Sequence, residues 1–308
     1  MKNKKKRKSA WLTFLKNKEL LVMSIPAVVA LAIFHYVPMV GVIIAFKDYK
    51  YADGIFGSKW VGFKWFEIFL KGDLFRISRN TVLYGLLFIV TSVVFGVLVA
   101  ILLNELKSVI ALKTYQTIMI IPFFMSWVIV GLIFYIFLDP VYGAANQFLK
   151  FLGMNEVLWY NDPRYWPYIL TFAQLWKGVG MGSVIYFAAL MGIDPTLYEA
   201  ATIDGANKFA RYRYIIIPEL VPLITILSIL SMKDLFRGDF GLFFNVPKDV
   251  GVLYPATDIL DTYIYRGLRT GAIGLNAAAG LFQSIMGLLL ILIANGIVKK
   301  INPDNALF

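Results

Sequence analysis

The residues of this chain that could do chemistry are sparse and set in apolar sequence. There is no cysteine, and His35 is the single histidine. Disulfides, thiolate zinc sites and thiol nucleophiles are thereby removed, and no imidazole cluster is left for a metal or a serine nucleophile. Gln174, Trp176 and Lys177 stand together inside an apolar stretch. A charge at bilayer depth costs at least about 2.5–3.5 kcal/mol unless it faces protein or water. Lys177 therefore reads either as a donor lining a polar cavity or as an ammonium reaching the headgroups. His35, with no second imidazole, reads as a hydrogen-bonded core residue. Glu219, directly after Pro218, either pairs with Arg211 or Arg213 or sits at headgroup level. Asp258 and Asp261 are too isolated to form the clustered carboxylates or metal site of a membrane-embedded enzyme.

A denser constellation runs from Asp194 to Pro218. Asp194 followed by Pro195 is a helix start, a capping carboxylate and then proline in the first turn. Leu197, Tyr198, Ala201 and Thr202 follow at helical spacing. Asp204-Gly205 ends that helix, because glycine accepts the positive φ of a C-terminal cap. Lys208 to Tyr214 reads as a second short helix. Ala200 and Ala201 are small enough for another protein's surface to approach closely.

The elements that position these residues follow from composition. Thirty Lys and Arg against nineteen Asp and Glu give a net charge of +11 on 308 residues. Hydrophobic residues make up 59% and charged residues 16%, with a mean hydropathy of +0.70. Soluble domains are about 45–50% apolar and about 25% charged, so a soluble two-domain enzyme is excluded. The 25 Phe, 17 Tyr and 7 Trp exclude disorder, since they demand burial.

A membrane helix needs about 20 apolar residues. Six stretches qualify: 20–46, 81–103, 117–138, 167–191, 215–232 and 272–298. In lipid these must be helices, and the alternating segments of a barrel are absent. Apolarity after the basic start runs past a signal-peptide core, so the first span is expected to be retained. Lys2, Lys4, Lys5, Lys6, Arg7, Lys8, Lys16 and Lys18 precede it. The positive-inside rule places that tail, residues 1–19, and with six spans the C-terminus, in the cytoplasm. The segment 47–79, assigned outside, also carries basic residues, so orientation rests on the tail. Beside a first span, anionic lipid rather than nucleic acid is the tail's expected partner.

Glu199-Ala200-Ala201, then Gly205, then Ile215-Ile216-Ile217-Pro218 resembles the E-A-A-x3-G-x9-I-x-L-P loop of ABC importer permeases, departing only by Ile217 for leucine. In that family the loop is a coupling helix that seats in a cleft of the ATPase. The resemblance continues through Asp239 to Phe244, Leu253 to Arg266, Ala278 to Ser284, and Ala294-Asn295. These segments are similar to a carbohydrate branch that works with lipoprotein-type binding proteins. The resemblance implies an all-α polytopic membrane protein, residues 20–308, with six transmembrane helices, the type I ABC importer permease fold, and a cytoplasmic coupling loop at about 194–214. It further implies that Glu199, Ala200, Ala201, Asp204, Gly205 and Pro218 couple to the ATPase. Gln174, Trp176 and Lys177 become candidates for the substrate pathway, Trp176 stacking on a sugar face and Lys177 donating to hydroxyls.

The implied activity is uptake of an oligosaccharide through the bacterial plasma membrane. The implied partners are a second permease, two ATPase subunits and an extracellular solute-binding lipoprotein. No G-x4-G-K-[ST] sequence is present, so ATP and Mg belong to the partner ATPase, and this chain is expected to bind no cofactor or metal. A same-fold importer of another small solute is the nearest alternative. An ion-coupled secondary transporter would need a deep carboxylate relay, for which Glu219 is the one candidate. Trp60, Trp65, Phe66, Trp159, Tyr160, Tyr165 and Trp166 read as an interfacial belt or a contact for a docked binding protein. The long connector 233–271 is expected to form a short helical excursion. Pro218 and Pro222 suggest a bend at the start of span five, either moving with the loop or fixed.

Overall fold

The structure is a computed structural model that describes residues 18–232 and 234–301. Most of the basic tail, residues 1–17, lies outside the described residues, as does Lys233. Among the described residues the α-helices of eight or more residues are α1 (Lys18–Leu31), α2 (Lys64–Lys71), α3 (Leu74–Asn104), α4 (Val109–Ile120), α5 (Trp127–Phe137), α6 (Ala144–Phe151), α7 (Trp166–Leu190), α8 (Pro195–Ile203), α9 (Ile217–Met232), α10 (Leu260–Arg269) and α11 (Ile273–Ile301). Two short antiparallel strands, β1 (Lys47–Asp48) and β2 (Lys59–Trp60), pair after the first span.

Four helical stretches are long and apolar enough to cross a membrane singly: Glu19–Phe46, Leu74–Asn104, Lys208–Met232 and Ile273–Lys300. Two bent pairs bring the number up to six if each counts as one span by length and composition: Val109–Phe124 with Trp127–Phe137, and Pro163–Leu190 with the helix that follows it, Pro195–Ile203. The third apolar stretch, expected as one helix over 117–138, is thus corrected to a broken one that turns by 100°. Its cause is local. Pro122 has no N–H to continue the ladder, Met125 is extended, and Ser126 starts a new helix by accepting from the Ile129 N–H.

Prolines shape two other spans differently. Val37 N–H bonds to Ala32 O just before Pro38, and Ile217 N–H bonds to Tyr212 O just before Pro218. Each turn is widened to a π-turn, where the chain accommodates an interrupted ladder without a sharp kink. Span five therefore runs from Lys208 to Met232 as one helix. His35 sits on the first π-turn, exposed and without a side-chain hydrogen bond among the described residues. The expectation of a hydrogen-bonded core histidine is corrected accordingly.

α3 packs along α7 more extensively than any other helix pair, and the second half of the first span packs on α11. The connector 234–271 folds into the helical turns Phe240–Asn245 and Tyr254–Thr257, then α10. Asp258 pins this connector, its buried carboxylate bonded to Arg266 Nη2 at 2.6 Å and to Thr262 Oγ1 at 2.8 Å, with Arg76 at 3.5 Å. Asp261 accepts from Gly238 N at 2.8 Å and Gln283 Nε2 at 3.0 Å. Both carboxylates are thus occupied in holding the connector together.

Trp159, Tyr160 and Trp166 have internal hydrogen-bond partners. Trp166 is fully buried and donates to Trp159 O at 2.8 Å. The Trp159 indole donates to Asn146 Oδ1 at 3.0 Å, and the Tyr160 hydroxyl donates to Val246 O at 3.0 Å. These rings pin connectors to one another and to α7, because each polar tip that is withdrawn from water needs a partner. Trp60 is exposed.

Candidate functional site

α8 begins and ends where its residue types place it. Asp194 Oδ1 accepts from Thr196 N at 2.9 Å, with Pro195 in the first turn. That backbone hydrogen bond holds the Asp194 carboxyl below its usual range. At the other end Ala206 N bonds to Ala201 O at 2.8 Å and Gly205 N to Thr202 O at 3.1 Å. These bonds close the helix end, with Gly205 at φ +73°. Such a φ is the left-handed region that glycine enters without steric cost. Asn207 then caps the next turn by accepting from Ala210 N at 2.8 Å, and Lys208–Arg211 leads through the π-turn into α9.

Most side chains on α8 face outward, while Tyr198 packs against the cluster beneath. Glu199 and Ala200 are exposed, Ala201 is half-buried, and Asp204, Gly205 and Pro218 are exposed. The loop stands on an apolar cluster of Ala100, Tyr186, Leu190, Ile216 and Leu220. Its own surface remains open for a partner. Glu219 is exposed and forms no ion pair with Arg211 or Arg213 among the described residues.

Glu105 is a functional candidate that the sequence reading missed. It follows the last turn of α3 and accepts from both Lys208 Nζ and the Tyr212 hydroxyl, the latter at 2.8 Å. These hydrogen bonds, Lys208 first, lower the Glu105 pKa. A depressed carboxylate keeps its link above the ordinary carboxylate range and loses it only as pH falls through the folded pKa. The clasp is therefore closed at neutral pH. Lys208 and Tyr212 lie four residues apart, so helical spacing could have suggested that both reach one group. Nothing local pointed to a carboxylate more than one hundred residues earlier.

A cavity of about 680 Å³ lies between α3, α7 and α9. Its walls include Tyr84, Phe88 and Ser92 from α3, Gln174 and Tyr186 from α7, and Ser231 from α9, with Arg237 also lining it. The size suits a small-molecule site, and aromatic faces mixed with a few polar groups are its usual lining. Gln174 Oε1 is buried without a hydrogen-bond partner, which leaves an acceptor to be satisfied by a guest.

The three residues read together from sequence separate here. Gln174 lines the cavity, but Trp176 packs into the core, its ring 6.4 Å from that of Phe134. Lys177 Nζ donates to Phe123 O at 2.8 Å and lies 5.2 Å from the ring centres of Phe123 and Trp127. Neither Trp176 nor Lys177 lines the cavity. The break in span three leaves the Phe123 carbonyl free of its own helix, and Lys177 satisfies it. Trp127 extends the link by donating to Asp239 Oδ2 at 2.7 Å, while Asp239 caps the Phe240–Asn245 turn.

Lys177→Met should therefore lower stability by about 0.5–1.5 kcal/mol, the net contribution of one hydrogen bond, and Lys177→Arg should recover part of it. Thermal unfolding in detergent measures this. Unchanged unfolding together with lost ligand binding would assign Lys177 to the transport pathway instead.

Residues 92–306 match the family described as binding-protein-dependent transport system inner membrane component. The Protein LplB of Bacillus subtilis (strain 168) is 34% identical over 298 residues, covering 96% of this chain and 93% of that protein. The polygalacturonan/rhamnogalacturonan transport system permease protein YteP of the same organism is 33% identical over 308 residues, covering 98% and 94%. Among solved structures, a chain of a bacterial ABC transporter involved in the import of the acidic polysaccharide alginate superposes with a TM-score of 0.86. It is 30% identical, with 95% of this chain and 99% of that chain covered. A second structure, at the same TM-score, is the alginate transporter in complex with an alginate pentasaccharide-bound periplasmic protein.

Proposed function

This chain belongs to the family of binding-protein-dependent transport system inner membrane components, and we propose that it carries an oligosaccharide through the cavity between α3, α7 and α9. It is the permease of an ABC importer, a multi-pass membrane subunit rather than an enzyme. The observation that carries the substrate reading is the cavity lining. Aromatic faces at Tyr84 and Phe88 suit the apolar faces of sugar rings. Hydroxyls at Ser92 and Ser231 and the unpartnered Gln174 amide suit sugar hydroxyls. The named substrates of its relatives, polygalacturonan, rhamnogalacturonan and alginate, support the same class.

In this reading a second permease completes the pore, and an external binding protein delivers the sugar. Two ATPase subunits, which bind ATP and Mg, grip Glu199 to Gly205 on each side. Their closure draws the loops together and exposes the cavity to one face of the membrane at a time. Both termini and α8 then lie in the cytoplasm.

Deleting the gene should abolish growth on one complex glycan and spare growth on free monosaccharides. Loss of amino-acid uptake alone would overturn the substrate reading. Orientation is tested by a single cysteine at Ile203, which is 87% exposed in a chain with no native cysteine. Labelling by an impermeant reagent in intact cells would overturn the cytoplasmic placement.

A further inference from the structure

α3 is fastened at both ends. At the end far from α8, Asn80 Nδ2 donates to Pro255 O and Asp258 O, each at 3.1 Å. Thr81 Oγ1 accepts from Leu260 N at 3.1 Å, and the Tyr84 hydroxyl donates to Ala256 O at 2.8 Å. At the other end Glu105 accepts from Lys208 and Tyr212. Between these ends α3 presents Tyr84, Phe88 and Ser92 to the cavity. A helix of 31 residues rises 1.5 Å per residue and reaches about 45 Å.

Apart from the clasp, this end of α3 meets the coupling loop's footing through apolar packing, such as Ala100 in the cluster with Leu190 and Ile216. Apolar packing is non-directional and permits sliding. A carboxylate receiving two donors from successive turns of one segment does not. Lys208 is 74% exposed, and an exposed ion pair contributes little to stability. The clasp's effect is therefore on position.

We propose that Glu105 is a positioning residue that fastens α3 to the coupling loop, so that loop, cavity wall and the 255–260 segment move as one body during transport. The proposal rests on the reading of Glu199 to Gly205 as the ATPase contact. The gain is a direct connection. Displacement of α8 reaches the far mouth through a single helix, without passing along the connector from α9.

The test uses the full transporter in proteoliposomes, with binding protein and a transported oligosaccharide, and reads sugar moved per ATP hydrolysed. Glu105→Ala should leave ATPase association and basal hydrolysis unchanged and lower that ratio about fivefold, the low end of coupling between distinct sites. Glu105→Gln, which can still accept from Tyr212, should fall between. The double variant Glu105→Lys with Lys208→Glu re-forms the pair and should recover most of the ratio; a changed ratio at unchanged association and basal hydrolysis is what a purely structural role would not give. A wild-type ratio in Glu105→Ala would overturn the clasp, as would a loss that the charge swap fails to recover. Gly205→Val in the same assay separates the two ideas. If Gly205→Val uncouples and the Glu105 variants do not, the clasp alone fails. If Gly205→Val has no effect, the coupling-loop reading fails first.

Discussion

Gly205→Val is expected to abolish binding-protein-stimulated ATP hydrolysis and uptake while the protein still inserts in the membrane. Gly205 has φ +73°, and a Cβ built there meets no heavy atom within 4 Å. The penalty is therefore backbone strain alone. For L-residues the left-handed conformation costs roughly 1–2 kcal/mol, and a β-branched side chain makes it a genuine outlier. The chain escapes by leaving that conformation, which opens the bonds from Ala206 N to Ala201 O and from Gly205 N to Thr202 O. α8 then tilts relative to its footing. Because Gly205 is exposed, the spans are untouched. Asparagine tolerates the left-handed region, so the damage should rise from Gly205→Asn through Gly205→Ala to Gly205→Val. Glu199→Ala should be milder, since it removes one exposed contact. Co-purification of the ATPase, stimulated hydrolysis and uptake measure the series. Wild-type values for Gly205→Val in all three would remove the coupling assignment.

Gly180→Ala is expected to lower the yield of folded protein sharply, although alanine is the better helix former. A Cβ at Gly180 would lie 1.9 Å from Met119 O and 2.3 Å from Met119 C. Both are backbone atoms of α4, so no rotamer change relieves the clash. Overpacking of this kind costs about 1–3 kcal/mol, occasionally more, and the upper end applies where backbone must move. The shift would begin next to the break at Ile121–Phe124, one residue beyond α4. It would pull Phe123 from Lys177, which lies three residues before Gly180 on α7. Gly178→Ala on the same helix meets open space and should gain up to about 1 kcal/mol from helix propensity. Size-exclusion recovery and thermal unfolding of the two variants decide the matter. Equal recovery would mean that α4 does not pass over Gly180 as closely as described.

How much could be read early depends on the range of the forces involved. The form of the loop from Asp194 to Pro218 was legible because its signals are local. Asp194 bonds to a backbone group two residues on, and Gly205 relieves strain in its own dihedral. Neither needs a distant partner, so residue type and spacing suffice. The apolar stretches were legible as helices for a related reason. Lipid offers no hydrogen bonds, and a helix satisfies its backbone within each segment. The effect of a proline was not legible: the chain breaks by 100° after Pro122 in span three and only widens a turn before Pro218. The difference lies in tertiary support. Lys177 and Ser126 are present to satisfy the freed groups at the break.

Which face of each span packs inward was not legible. A span that is apolar all round carries no stripe to distinguish protein from lipid. For this reason Gln174, Trp176 and Lys177, close in sequence, part to cavity, core and helix break. For the same reason, nothing in the sequence marked Glu105, whose partners appear only where folding brings it to Lys208 and Tyr212. Sequence alone determined the class of this protein and the form of the loop from Asp194 to Pro218, because both follow from local hydrogen bonding and bulk transfer to lipid. Tertiary structure alone decided the cavity wall, the role of Lys177 and the partner of Glu105, because each depends on which helices meet, over separations that local chemistry does not encode.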